Sequence, residues 1–320
     1  MKRFFIFCIA ALVLISCGKN DGSIRVLLDW TPNTNHTGLY VALEKGWFEE
    51  EGLKIIITQP PEDEALALLA AGRAEFAFSF QESMGPAIAK QSNALPVTAV
   101  AAVICHNTSG IMSLRNSGIQ RPADLAGRRF ASWETPLVTS VMRHIIETDG
   151  GDFNSVFMIP NFAMDAFSAL RTDVDAIWIY YAWDGIAAEV NEIEINYIDL
   201  GTFDSTLDFY TPVLVANTGW AAENQETAKK FLNIVSRGYY FAINYPAEAG
   251  EILLKHAPEL DRALVMRSQE YLHTRYQGEN QNRWGEIDPQ RWGNFYRWMY
   301  AQGLLETNIG TGGFTNEYLP

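Results

Sequence analysis

The segment from residue 24 to residue 57 limits most sharply what this chain can fold into. It opens with Ile-Arg-Val-Leu-Leu, an apolar run rich enough in branched residues to form a buried strand. Asp29 and Trp30 stand at its end, and Thr31-Pro32-Asn33 stops it, because proline cannot extend a hydrogen-bonded ladder. Leu39, Ala42 and Leu43 then recur at helical spacing as far as Gly46, with Asn35 or Thr37 available as N-cap. Lys54-Ile55-Ile56-Ile57 turns the chain into a second strand. A strand end, a polar loop carrying Trp30, Asn33 and His36, and a helix N-terminus together make a corner suited to a ligand.

The same alternation continues. Proline and acids at 60–64 open a helix that Gly72 ends, and residues 75–80 form a third strand. Gln81-Glu82-Ser83 leads into a helix over 84–91, and 97–104 and 111–114 read as a fourth and a fifth strand. After a loop at 118–127, residues 128–133 open a second lobe, with Thr135 as N-cap and Pro136 in the first turn of the next helix. Residues 156–160, 175–180 and 210–216 are further strands. Strands alternating with helices predict an α/β fold with mostly parallel sheets. A helix–turn–strand unit at 64–78 has an echo at 165–178, as two similarly built lobes require. The remainder is helical, and Trp292, Phe295, Trp298 and Met299 on one face of its last helix read as core.

A formal charge of −14 argues against a nucleic-acid partner, since phosphate binding needs clustered Lys and Arg. At 320 residues and 48% hydrophobic, the chain can build two domains with cores of their own. Met1-Lys2-Arg3 followed by the apolar stretch 4–15 reads as a signal peptide, too short to span a membrane. Leu14-Ile15-Ser16-Cys17 resembles a bacterial lipobox, in which Cys17 becomes the lipid-modified first residue; a plain signal peptide cut nearby is the alternative. Residues 17–23 are then a lipidated tether, and Cys105 is a small buried hydrophobe.

Several motifs carry a family resemblance: Asp29-Trp30-Thr31-Pro32-Asn33, His36-x-Gly38-x-Tyr40-x-Ala42, Lys45-Gly46-Trp47-Phe48, the run 95–101, and the near-terminal Phe-Thr-Asn-Glu-Tyr-Leu at 314–319. In these the chain resembles type II solute-binding proteins, more narrowly the family of thiamine-pyrimidine-binding lipoproteins of ABC transporters and the related pyrimidine synthases. The resemblance implies a two-lobed periplasmic-binding-protein fold with the ligand cleft between lobes. Lobe 1 is expected at 24–116 and 215–320 and lobe 2 at 117–214, with crossings near 114–118 and 209–216. It implies an extracytoplasmic, membrane-anchored monomer that hands a thiamine-precursor pyrimidine to an ABC permease. Riboflavin or another aromatic heterocycle is the alternative ligand. The synthase branch is said by the same resemblance to carry a cysteine-rich run where this chain reads Asp-Phe-Tyr-Thr-Pro-Val-Leu at 208–214, and a histidine in the region where 80–90 has none. An enzyme, a cofactor and a metal site are therefore not expected.

Ligands settle at the C-terminal ends of parallel strands. In the first lobe that names Trp30, Asn33, His36, Gln81 and Glu82. In the second it names Trp133, Glu134, Thr135, Trp178, Tyr180, Tyr181 and Trp183, with Tyr210 joining from the return strand. Stacking on an aromatic face contributes on the order of 1–3 kcal/mol per ring. At least two rings of the 178–183 cluster are expected on the ligand, the others packing beneath a helix. Asn33 and His36 either bind or brace their own loop, and Glu82 and Glu134 either meet a helix dipole or pair with an aminopyrimidine.

Overall fold

The computed structural model describes residues 22–61, 64–160, 166–278 and 282–320. The signal segment, Cys17, nearly all of the tether and Asp165 lie outside the described residues. Ten strands are described: β1 (Ile24–Leu27), β2 (Ile55–Thr58), β3 (Phe76–Ser79), β4 (Val97–Ala102), β5 (Ser109–Leu114), β6 (Arg129–Ser132), β7 (Phe157–Pro160), β8 (Ala176–Tyr180), β9 (Ile195–Asp199) and β10 (Val213–Asn217). They form two five-stranded sheets, ordered β2-β1-β3-β10-β4 and β7-β6-β8-β5-β9. Each sheet has parallel pairing on one side and one antiparallel strand inserted from the other part of the chain, β10 in the first and β5 in the second.

That insertion corrects the expected division of the chain. The run 111–114 belongs to β5 and lies between β8 and β9, so it is not a fifth strand of the first lobe. The first crossing is therefore at 103–108 rather than 114–118, and the second occupies 200–212, ahead of the expected strand at 210–216. An apolar run records that it is buried, not which sheet it joins. β9, with alternate residues buried, went unread in the sequence.

The helix–turn–strand echo is real, and one ion pair sits at the same place in both halves. Arg25, second in β1, grips Glu75, just ahead of β3, with its backbone N–H and guanidinium. Arg129 opens β6 and grips Asp175, just ahead of β8, in the same way. Each acid thus ties two neighbouring parallel strands in register, β1 to β3 and β6 to β8.

Alternation along β1, β3 and β10 divides the first sheet's cover. Val26, Phe76, Phe78 and Leu214 pack beneath Phe231, Val235 and Tyr239 of the helix Gln225–Asn244. Leu27, Ala77, Val213 and Val215 pack in the cluster that holds Trp292, Phe295 and Met299 of the helix Pro289–Ala301, so the C-terminal aromatics are core. Burial on both faces explains why these strands read as continuous apolar runs. Helix Thr37–Glu44 crosses Gln225–Asn244 at Gly38 and Gly238, where a Cβ on Gly238 would lie 1.9 Å from the Gly38 carbonyl oxygen. Only glycine permits that approach, which fixes the helix behind the corner at 29–36.

Candidate functional site

The corner holds together through its own side chains. Asn33 accepts from the Asn35 N–H at 2.8 Å and donates to the Thr31 carbonyl at 3.0 Å. Its backbone N–H donates to His36 Nδ1 at 3.2 Å. Because that ring nitrogen accepts, Nε2 carries the hydrogen and donates to Asp29 Oδ1 at 2.6 Å. His36 is fully buried and stands edge-on to Phe78 at 4.7 Å. Asn33 and His36 therefore brace, and what they position is the Asp29 carboxylate, whose side chain is 4% exposed. Trp30, half-buried, follows it.

Gln81 and Tyr210 brace in the same sense. Gln81 Oε1 accepts from the Tyr210 N–H at 2.8 Å, and its amide donates to the Trp292 carbonyl at 3.1 Å. The Tyr210 hydroxyl accepts from the Asp288 N–H at 2.9 Å, and the Arg291 guanidinium lies 3.9 Å over its ring. Both residues are buried, and these hydrogen bonds stiffen the start of helix Gln81–Ile88.

Glu82, one residue on, differs. The Tyr180 hydroxyl donates to its Oε1 at 3.4 Å from the second sheet, and the Thr211 hydroxyl at 3.5 Å from the second crossing. Oε2 is sealed from solvent and has no hydrogen-bond partner among the described residues. Burial pushes the carboxyl up to about 8. Its own backbone N–H and the two hydroxyls pull the other way, and the Asp29 charge adds to the rise. Burial and the neighbouring Glu82 raise Tyr180 well above the ordinary phenol.

Aromatic faces flank this carboxyl. Phe80 and Tyr180 face each other across the lobes, 6.5 Å apart and 19° from parallel. Trp178 is 5% exposed, lies 6.4 Å from Trp133, and keeps its indole N–H without a partner among the described residues. Trp133 is 40% exposed. A buried donor and a buried acceptor left open each cost about 1–3 kcal/mol, which a ligand supplying both partners recovers.

The other expected residues lie elsewhere. Thr135 is spent as N-cap, accepting from the Val138 N–H at 3.2 Å, and Glu134 is exposed at φ +55°. Tyr181 stacks between Tyr197 and Tyr271 and donates to Glu189 at 2.7 Å. Glu189 also pairs with Arg267 at 2.8 Å. These contacts form a seam between the second lobe and helix Arg262–Leu272, away from Glu82. Trp183 packs on the small cluster of Tyr40, Leu253 and Val265. Of the aromatic cluster, Trp178 and Tyr180 are the two found beside Trp133 and Glu82. Asp29, Phe80 and Thr211 were missed, although each ends or follows an apolar run, the position that marked Trp30 and Gln81.

The crossings are riveted together beneath the site. His106, in the first, hydrogen-bonds Asp208, in the second, at 2.7 Å. The Asn107 N–H and Arg291 reach the other Asp208 oxygen.

A family model described as NMT1/THI5 like matches residues 33–249. The formylaminopyrimidine-binding protein of Halalkalibacterium halodurans is 30% identical, covering 97% of each chain. The 4-amino-5-hydroxymethyl-2-methylpyrimidine phosphate synthase of Legionella pneumophila is 22% identical over 76% of this chain and 77% of its own. Among solved structures, the alkanesulfonate-binding protein of Xanthomonas axonopodis pv. citri superposes with a TM-score of 0.69 at 15% identity, covering 92% of this chain and 98% of that one. The fold is that of the periplasmic binding proteins.

Proposed function

Because this chain belongs to the NMT1/THI5 like family, we propose that it is the substrate-binding lipoprotein of an ABC importer, closing over a thiamine-precursor pyrimidine. The observation that carries this reading is the open Glu82 Oε2 beside the facing Phe80 and Tyr180 rings. A flat ring slipped between two aromatic faces needs about 7 Å, two contacts of about 3.5 Å. The 6.5 Å between the Phe80 and Tyr180 centroids is close to that, so a small opening of the lobes admits it. An aminopyrimidine edge then meets Glu82 and Asp29, while the Trp178 N–H meets an acceptor on the ring or its substituent.

The named relative at 30% identity supports this class of ligand over a sulfonate. So does electrostatics, since an anion would face Asp29 and Glu82 with no arginine or lysine among the partners found for them. The synthase relatives supply the competing reading, against which stand the absence of cysteine at 208–214 and of histidine at 80–90. Anchoring through Cys17 places the protein outside the cytoplasm in this reading.

Tryptophan fluorescence titration tests it, with Trp178 and Trp133 as reporters. Hydroxymethyl- and formylaminomethyl-pyrimidine should saturate the signal at micromolar concentration or below, and riboflavin and an alkanesulfonate should not. Saturation by riboflavin alone, or formation of pyrimidine by the purified protein without added ligand, would overturn the proposal.

A further inference from the structure

We propose that Glu82 meets its ligand as a neutral acid, so that the cleft selects an uncharged heterocycle with a ring-nitrogen acceptor beside an exocyclic amino group and holds it through one shared proton. This rests on the pyrimidine reading above and adds the charge state in which the ligand is taken.

Both hydroxyls that reach the Glu82 carboxyl go to the same oxygen. Tyr180 and Thr211 donate to Oε1, and Oε2 receives nothing while being closed to water. A carboxylate would leave half its charge on that unsolvated oxygen; a carboxylic acid places its O–H there, free to donate to a ligand. The ionisable groups facing Glu82 supply no positive charge. They are Asp29 from the end of β1, with His36 behind it, Tyr180 from β8, and Tyr296 from helix Pro289–Ala301. The His36 N–H is committed to Asp29, so the charge at this corner resides on Asp29 and disfavours a second carboxylate. The rise of the Glu82 carboxyl to about 8 has the same origin.

A neutral acid donates one hydrogen bond and accepts others, which matches a ring nitrogen adjacent to an amino group. The Oε2–H donates to the ring nitrogen, and the amino N–H donates to Oε1 or to Asp29. Moving the proton from oxygen to nitrogen gives the ion pair with the same atoms and the same net charge. The complex therefore contains one proton between Glu82 and the ring, wherever it resides.

The sign of the pH dependence follows. Below about 8 the free site already carries its proton, and binding takes up none. Above it, binding requires a proton from solvent, and affinity falls about tenfold per pH unit. A permanent cation would behave in the opposite way, gaining affinity as Glu82 ionises.

Calorimetry from pH 7 to 10 with 4-amino-5-hydroxymethyl-2-methylpyrimidine as probe, in buffers of different ionisation enthalpy, tests this. The expected result is near-zero proton uptake at pH 7, approaching one proton per ligand at pH 9 to 10, with Kd rising about tenfold per unit there. Glu82→Gln, which keeps one donor and one acceptor, should bind with a flat profile. Binding that is pH-independent in the wild type overturns the shared proton and leaves the pyrimidine reading standing; no binding at any pH removes both. An arm without ligand is the infrared carbonyl band of a protonated carboxyl. It should be present in the free wild type at pH 7, fade as pH rises through about 8, and be missing from Glu82→Gln. Its absence from the free wild type also overturns the proposal.

Discussion

The Tyr180 hydroxyl reaches across the cleft to Glu82 Oε1 at 3.4 Å, from the end of β8 to the start of helix Gln81–Ile88. The contact joins the two sheets at a carboxyl that is removed from water. A site that buries its own acid is destabilised until something satisfies it, and that sets its pH response.

Glu82 lowers the stability of the free protein at alkaline pH. Its folded-state value, about 8, lies above the 4.5 of an ordinary glutamate. The folded state thus holds a proton that the unfolded state has released. Relative stability is greatest below 4.5, falls as pH rises through that interval, and is flat above about 8. Glu82→Gln should be more stable than wild type at pH 8–9 by on the order of 1 kcal/mol or more, with no gain at pH 4. Urea melts of both proteins at the two pH values measure it.

Trp178 and Tyr181, three positions apart in the sequence, should part company. Trp178→Phe keeps a ring and removes a buried N–H that has no partner among the described residues. Stability should hold or rise slightly while affinity drops about tenfold, the loss of one hydrogen bond of about 1–1.5 kcal/mol. Tyr181→Ala empties the space between Tyr197 and Tyr271 and leaves Glu189 with Arg267 but without the Tyr181 hydroxyl. Its melting temperature should fall by several degrees, with the ligand's fluorescence response retained. Paired thermal melts and titrations check this, and equal loss of binding in both variants would put Tyr181 in the cleft.

The His106–Asp208 pair should make hinge stability bell-shaped in pH. The Asp208 hydrogen bond, first, and the adjacent Cys105 raise His106 to about 9 against burial. Burial opposes the Asp208 charge, but His106 and Arg291 hold it below the ordinary carboxylate. The histidine's contribution is complete below 6.5 and lost as pH rises through about 9. The aspartate's is present above 3.8 and lost as pH falls below it. His106→Asn should cost most near pH 5–6 and little above pH 9, as differential scanning calorimetry across that range would record.

Cys17→Ala should move the protein from the membrane fraction to the soluble fraction of cells expressing the full chain, since lipid chains rather than an apolar helix would hold it there. A variant that still sediments with membranes would refute the lipid anchor.

Much of this was readable in order along the chain. Short runs of apolar and aromatic residues marked β1, β3, β4, β6 and β8, and Thr135-Pro136 marked the start of the helix Pro136–Thr148, because these signals depend on neighbours a few residues away. The repeated unit was visible too, and the Arg25–Glu75 and Arg129–Asp175 pairs explain why an acid precedes both β3 and β8. Sheet membership was not readable: β5 and β10 are inserted from the far side of the molecule, and nothing in an apolar hexapeptide records its partner strands. The division of labour at the site was decided the same way. Asn33, His36, Gln81 and Tyr210 have the composition of ligand contacts, yet their hydrogen bonds are spent on holding Asp29 and Glu82. Which polar atoms remain open depends on groups brought from 98 and 129 residues away, and only the tertiary structure sets that account.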